Sequence, residues 1–295
     1  MFKLKISTFD FSFRFIATAF VGAILNFNCE IWGFGKSKVI ERIHLKFCKT
    51  LLNVKMSTSN MGVYGEMGRY PLYINRYSRI IKFWCKTRLS TNILVASLYD
   101  SLLTTANSGK KNWAYNVKLL LDSYGFSYVW RNPESIDLKN FHIVFKSRVI
   151  DVFKQNWFNG ISNCNTLCTY RSFKQYHGIE QYLDFLPGKL RIALARLRLS
   201  SHNLRIETGR YSQNRTERAF RYCTICNSRD IEDEYHFIIV CSEYEHIRKK
   251  YIKHYYYRHP SMIKFVELMS SSNHNTIYKI SKYVYEALTH RISII

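Results

Sequence analysis

The sequence predicts a mainly α fold, an irregular helical array with a small Cys3His module near its carboxy terminus. Three observations lead there. Proline and glycine number only 4 and 12 in 295 residues, too few turn-formers for a sandwich or a barrel. Apolar residues recur at three- and four-residue spacing through much of the chain, the period of one helix face. Cys223, Cys226, His236 and Cys241 fall within nineteen residues, a density of ligand types that isolated buried thiols do not produce.

The elements follow in order. From Lys36 to Leu52, Ile40, Ile43, Phe47 and Leu51 mark a core-facing helical stripe. Ser57-Thr58-Ser59-Asn60 reads as a turn, and the glycine-punctuated Tyr64 to Leu72 stretch re-enters order. Ile74, Ile80, Ile81 and Trp84 predict the next helix; 92–103 and 113–121 give two more, separated by Asn107-Ser108-Gly109. Between Asn140 and Asn159, Phe141, Val144, Phe145, Val149, Val152, Phe153 and Trp157 form the most regular stripe in the chain. Ile277, Ile280, Val284 and Leu288 close it with an apolar face. The expected organisation is a non-matching apolar segment at 1–29, a helical region at 30–199, a basic zinc-binding module at 200–258 and terminal helices at 259–295.

Charge bounds the partner. With 44 Lys+Arg against 21 Asp+Glu the formal charge is +23, a self-repulsion that an anionic partner would relieve. RNA or DNA leads, an anionic membrane comes second, and no small-molecule substrate is indicated. The eight cysteines are too dispersed for a disulfide framework, which predicts a reducing, intracellular setting, nuclear or cytoplasmic. The apolar run Phe15 to Phe27 is shorter than the ~20 residues that span a bilayer, so a buried helix is expected there over a membrane anchor.

The spacing Cys-x2-Cys-x9-His-x4-Cys supplies three thiolates and an imidazole, the closed tetrahedral set of structural zinc. Zinc is therefore the expected cofactor, on Cys223, Cys226, His236 and Cys241. Asp230, Glu232, Asp233 and Glu234 between them read as a solvated loop, His246 as lying outside the shell, and Cys164 and Cys168 as helix-face thiols. Before the module stand Lys189, Arg191, Arg196, Arg198, Arg205, Arg210, Arg215, Arg218 and Arg221, opposed only by Glu207 and Glu217; after it come Arg248, Lys249, Lys250 and Lys253 among tyrosines. Guanidinium forks suit phosphate oxygens and rings suit bases, so these are the candidate nucleic-acid contacts. A solvated helix face is the plainer alternative.

Catalytic patterns are missing. Gly35-Lys36-Ser37 lacks the glycine that a phosphate loop needs at position 30, where Glu stands. The chain has no adjacent Asp pair to hold two cations for nucleotidyl transfer.

Certain blocks carry a family resemblance. Glu30-Ile31-Trp32-Gly33-Phe34, the 43–54 helix and Val63-Tyr64-Gly65-Glu66-Met67-Gly68-Arg69-Tyr70-Pro71-Leu72 resemble the stretch after the polymerase palm in invertebrate non-LTR retrotransposon reverse transcriptases. Leu197 to His202, Ile206 to Tyr211 and Arg221 through Cys241 are similar to that family's carboxy-terminal zinc-binding region. The resemblance implies a helical post-palm and zinc-binding fragment without the palm's Tyr-x-Asp-Asp motif or the endonuclease. It also implies the ligand role of Cys223, Cys226, His236 and Cys241. The reading it favours is non-catalytic nucleic-acid binding. The rivals are an RNA-directed DNA polymerase, by family name only, and a membrane-anchored interaction protein using residues 15–27.

Overall fold

The computed structural model describes residues 22–211 and 215–294. Residues 15–21 of the apolar amino-terminal run lie outside them, and no described helix is long and apolar enough to cross a membrane. The described residues are mainly helical and include no strand; pairing is limited to the isolated antiparallel bridges Met67–Ile179 and Tyr222–Ile231. The principal helices are α1 (Lys38–Leu52), α2 (Asn60–Met67), α3 (Leu72–Arg88), α4 (Ile93–Asn107), α5 (Trp113–Ser123), α6 (Leu138–Ser162), α7 (Gly188–Arg198), α8 (Arg205–Tyr211), α9 (Glu245–Tyr251), α10 (Met262–Met269) and α11 (His274–Ile294).

The chain divides into two compact units, one of 22–44 with Tyr70–Asn156, the other of Leu45–Arg69 with 157–294. The boundary expected at 199/200 falls inside the second. In the first unit, α4 and α5 begin where asparagines stop the preceding chain. Asn92 Oδ1 accepts from the N–H groups of Leu94 and Val95, and Asn112 Oδ1 accepts from Tyr115 N–H at 2.8 Å. Each cap is worth about 1 kcal/mol. Gly109 adopts φ +83° between the two helices, the left-handed turn that its missing Cβ permits. The core here is aromatic: Phe126 meets Phe141 edge-on at 5.2 Å, and Tyr124 meets Phe145 at 5.5 Å. Such pairs contribute about 0.5–1.5 kcal/mol beyond their buried area.

In the second unit α7 packs along α11, and α9 also contacts α11. Ala193, Leu194 and Leu197 are buried with Ile280, Val284 and Ala287. Gly65 and Gly68 of α2 and its end are required by space. A Cβ on Gly65 would stand 2.6 Å from the Trp157 ring, and one on Gly68, at φ +59°, would stand 2.4 Å from the Ile179 nitrogen.

Two periodicity readings need correction. On α1 the buried residues are Leu45, Cys48, Lys49 and Leu52, while Ile43 is 47% exposed and Ile40, Phe47 and Leu51 are half-buried; of two interleaved apolar stripes with similar spacing, the one through Leu45 and Leu52 faces the core. On α6 the series Phe141, Phe145, Val149, Phe153 and Trp157 is buried as expected, but Val144 is exposed. Cys164 and Cys168 sit in the turn after α6, not on a helix face, with their sulfurs 3.2 Å from Thr166 Oγ1 and Asn165 O.

Candidate metal centre

The Cys-x2-Cys pair is carried by a narrow hairpin. Cys223 N–H donates to Asp230 O at 2.8 Å and Glu232 N–H to Arg221 O at 2.9 Å, on either side of the Tyr222–Ile231 bridge. His236 and Cys241 come from the next turn, a π-helical one (His236–Val240) in which Cys241 N–H reaches back to His236 O at 2.8 Å. Closing five residues in one turn brings the two ligands to the same side, where regular α pitch would rotate them apart. Arg248 steadies this irregular turn: Nε donates to Ile238 O at 2.8 Å and the guanidinium to Cys241 O at 2.6 Å. Tyr283 Oη donates to Phe237 O from α11.

The four ligand atoms all lie within 4.8 Å of one another, and the four residues are buried. Cys226 Sγ is 3.3 Å from His236 Nε2. A tetrahedron of ~2.3 Å metal–sulfur bonds has edges of roughly 3.8 Å, so the cluster can hold a metal ion. Its electrostatics favour a cation. The hydrogen bond from the Cys241 thiol, with help from His236, holds the Cys223 thiol down to about 3 against burial. Cys241, donating into that bond and buried, is pushed up. His236 is raised despite burial because Cys223 and Cys226 face it.

Behind the ligands the acidic residues are structural, contrary to the solvated loop expected for them. Only Asp230 is largely exposed, and its carboxylate lies 3.7 Å from His236 Nδ1, a buried nitrogen with no closer partner. From there it can orient the imidazole with Nε2 inward. Asp233 Oδ1 accepts from His236 N–H at 2.9 Å. Glu232 is 1% exposed; it pairs with Arg291 of α11 and accepts from Arg205 N–H at 2.8 Å, with Cys223 Sγ 3.7 Å away. Glu234 accepts from Thr169, Ser200 and His202. Burial opposes its charge, yet the bond and charge of His202 hold its carboxyl down to about 2. Glu232, Asp233 and Glu234 are each the counterpart of a buried cation or donor, whereas Asp230 keeps the solvated position expected for it.

The candidate phosphate contacts separate by burial. Arg198 is enclosed, bonded to Glu66 at 2.6 Å, Glu180 at 2.9 Å and Met269 O, with its guanidinium over Phe173. Arg191 is buried as well. Arg221 is buried on Thr216 O and Ile206 O, its stem lying over Gly209, and Arg248 is spent on the π-turn. Arg205 is half-buried. Arg196 is exposed but bidentate to Asn53, and Lys249 and Lys250 are exposed but paired with Glu245 and Glu286. Lys189, Arg215, Arg218 and Lys253 are exposed. Arg210, tied to Glu207 and Asn165 O, joins Arg215, Arg218 and Arg221 around a cavity of about 630 Å3. His246 stands outside the metal cluster, its Nδ1 on Glu243 O. Compared with known proteins, the chain matches no family model, no curated protein and no solved structure.

Proposed function

We propose that the chain is a non-catalytic, zinc-stabilised nucleic-acid-binding region related to the carboxy-terminal part of non-LTR retrotransposon reverse transcriptases. Zinc is the ion of choice because three thiolates and an imidazole, buried and saturating, match its structural sites. The observation that carries binding is the cavity where Arg210, Arg215, Arg218 and Arg221 converge with Asn165, Thr216 and a single carboxylate, Glu217. Arg221 opens the hairpin that holds Cys223, so metal binding fixes one wall of this basic surface. Two of its guanidinium groups are anchored on backbone carbonyls and two are exposed, an arrangement suited to gripping successive phosphates. A binding role rather than catalysis fits the fate of the carboxylates: Glu66, Glu180, Glu207, Glu232 and Glu234 each face a buried or half-buried Arg or His. Support for the lineage comes from Glu66 and Arg198, which belong to two separate resembling blocks and bind each other.

The test is titration of single-stranded RNA and DNA across salt concentrations with the full chain and with Arg215→Gln/Arg218→Gln. Affinity should fall with rising salt, and the variant should lose about 1.4 from the log–log slope, about 0.7 for each single-strand phosphate contact. Salt-independent affinity, or a variant with the parent's slope, overturns the reading. Neutralising Arg198 instead would test folding.

A further inference from the structure

The unit that lacks the metal cluster contains a cleft of about 550 Å3 whose chemistry the metal centre does not explain. One wall is aromatic and rigid. Trp84 is buried, donates from Nε1 to Tyr99 Oη at 2.9 Å, and stacks on the half-buried Trp130 at 6.2 Å and 22°. The rim is cationic: Arg88, Lys118 and Arg131 line the opening with a single carboxylate, Asp122. None of the three cations is within ion-pair distance of a carboxylate among the described residues; Arg88 lies over the Tyr99 ring at 5.5 Å. The volume lies in the range of small-ligand sites.

From this juxtaposition we infer that the cleft binds a nucleotide unit, its base against Trp130 and its phosphate among Arg88, Lys118 and Arg131. An aliphatic anion would use the cations and leave the indole idle. A neutral aromatic would use the ring and leave three cations facing a single carboxylate. Only a flat ring joined to an anion satisfies both walls. A free mononucleotide and one residue of a single strand offer the same chemistry. The inference is independent of the arginine cavity near the zinc ligands, which belongs to the other unit.

Isothermal titration of the full chain with AMP, with inorganic phosphate and with a ten-residue single-stranded DNA tests it, each repeated on Lys118→Gln/Arg131→Gln and on Trp130→Leu. Arg131 is exposed and Lys118 half-buried, so the double variant should keep the parent's unfolding midpoint. AMP should bind at least tenfold more tightly than phosphate, and both variants should weaken AMP at least tenfold. Weakening of the DNA alone, with no AMP binding, would assign the cleft to strands and still support it. Phosphate binding as tightly as AMP, or AMP and DNA both indifferent to the double variant, overturns it. Because Arg215 and Arg218 are untouched, failure here leaves the other binding surface intact, and the reverse also holds.

Discussion

Arg198 stands in a basic run that reads as phosphate contacts, yet it is enclosed in its unit's core. Burial penalises its charge, but Glu66 and Glu180 outweigh that and raise its pKa further. Removing one partner from such a group leaves a buried charge uncompensated, at about 3–5 kcal/mol. Arg198→Ala should therefore lower the urea-unfolding free energy by about that amount, and adding Glu66→Gln should recover part of it. Glu180 shows the same network in acid. Burial raises its pKa, Arg198 and Lys174 lower it more, and the net shift is down from 4.5. Its stabilisation is thus complete above about pH 4.5 and is lost as the pH falls through its folded value. Glu180→Gln should be less stable at neutral pH and should show a flatter decline below pH 4.5 in thermal unfolding. Residue types could not reveal this network: Glu66 and Arg198 are 132 positions apart, and an arginine in a basic run looks the same whether it faces solvent or a carboxylate.

The hairpin and the π-turn form a short irregular element whose apolar residues Phe237, Ile238 and Ile239 are fully buried. Tethers join it to α9 and α11 through Arg248, Tyr283 and Arg291, and an ion held by the four candidate ligands would add to them. Apparent binding energies for structural zinc are about 10–16 kcal/mol in isolated finger peptides, and such binding energy is folding energy. Cys223→Ser should lose one equivalent of zinc by native mass spectrometry and release hydrogen-exchange protection across 221–241. Protection in α3 and α5 should stay unchanged, since they belong to the other unit. The ligand set was legible because tetrahedral coordination imposes a short spacing on a few residue types. Its acidic support was not, because the partners His202, Arg205 and Arg291 lie up to 59 positions away. Helices were legible where one stripe dominated, as on α6, and misassigned where two competed, as on α1.

Across the whole molecule the formal charge of +23 persists after the buried pairs are set aside, because those pairs neutralise themselves. A chain so charged repels itself at low ionic strength, and a polyanion that binds only the folded form stabilises it by mass action, about 2.7 kcal/mol at a hundredfold excess over Kd. Poly(U) should raise the unfolding temperature in low salt, and the rise should shrink as salt is added; an unchanged midpoint would count against binding by the folded chain. Composition and spacing by themselves determined the helical class, the positive field and the four candidate metal ligands, since these depend on residue type and local periodicity. Which cations reach solvent, which acids are structural, and that Trp84, Tyr99 and Trp130 share a cleft with Arg88 and Lys118 were decided only by tertiary packing. The physical reason is that burial and pairing are set by neighbours distant in sequence, and a side chain's charge acts outward only where no such neighbour has claimed it.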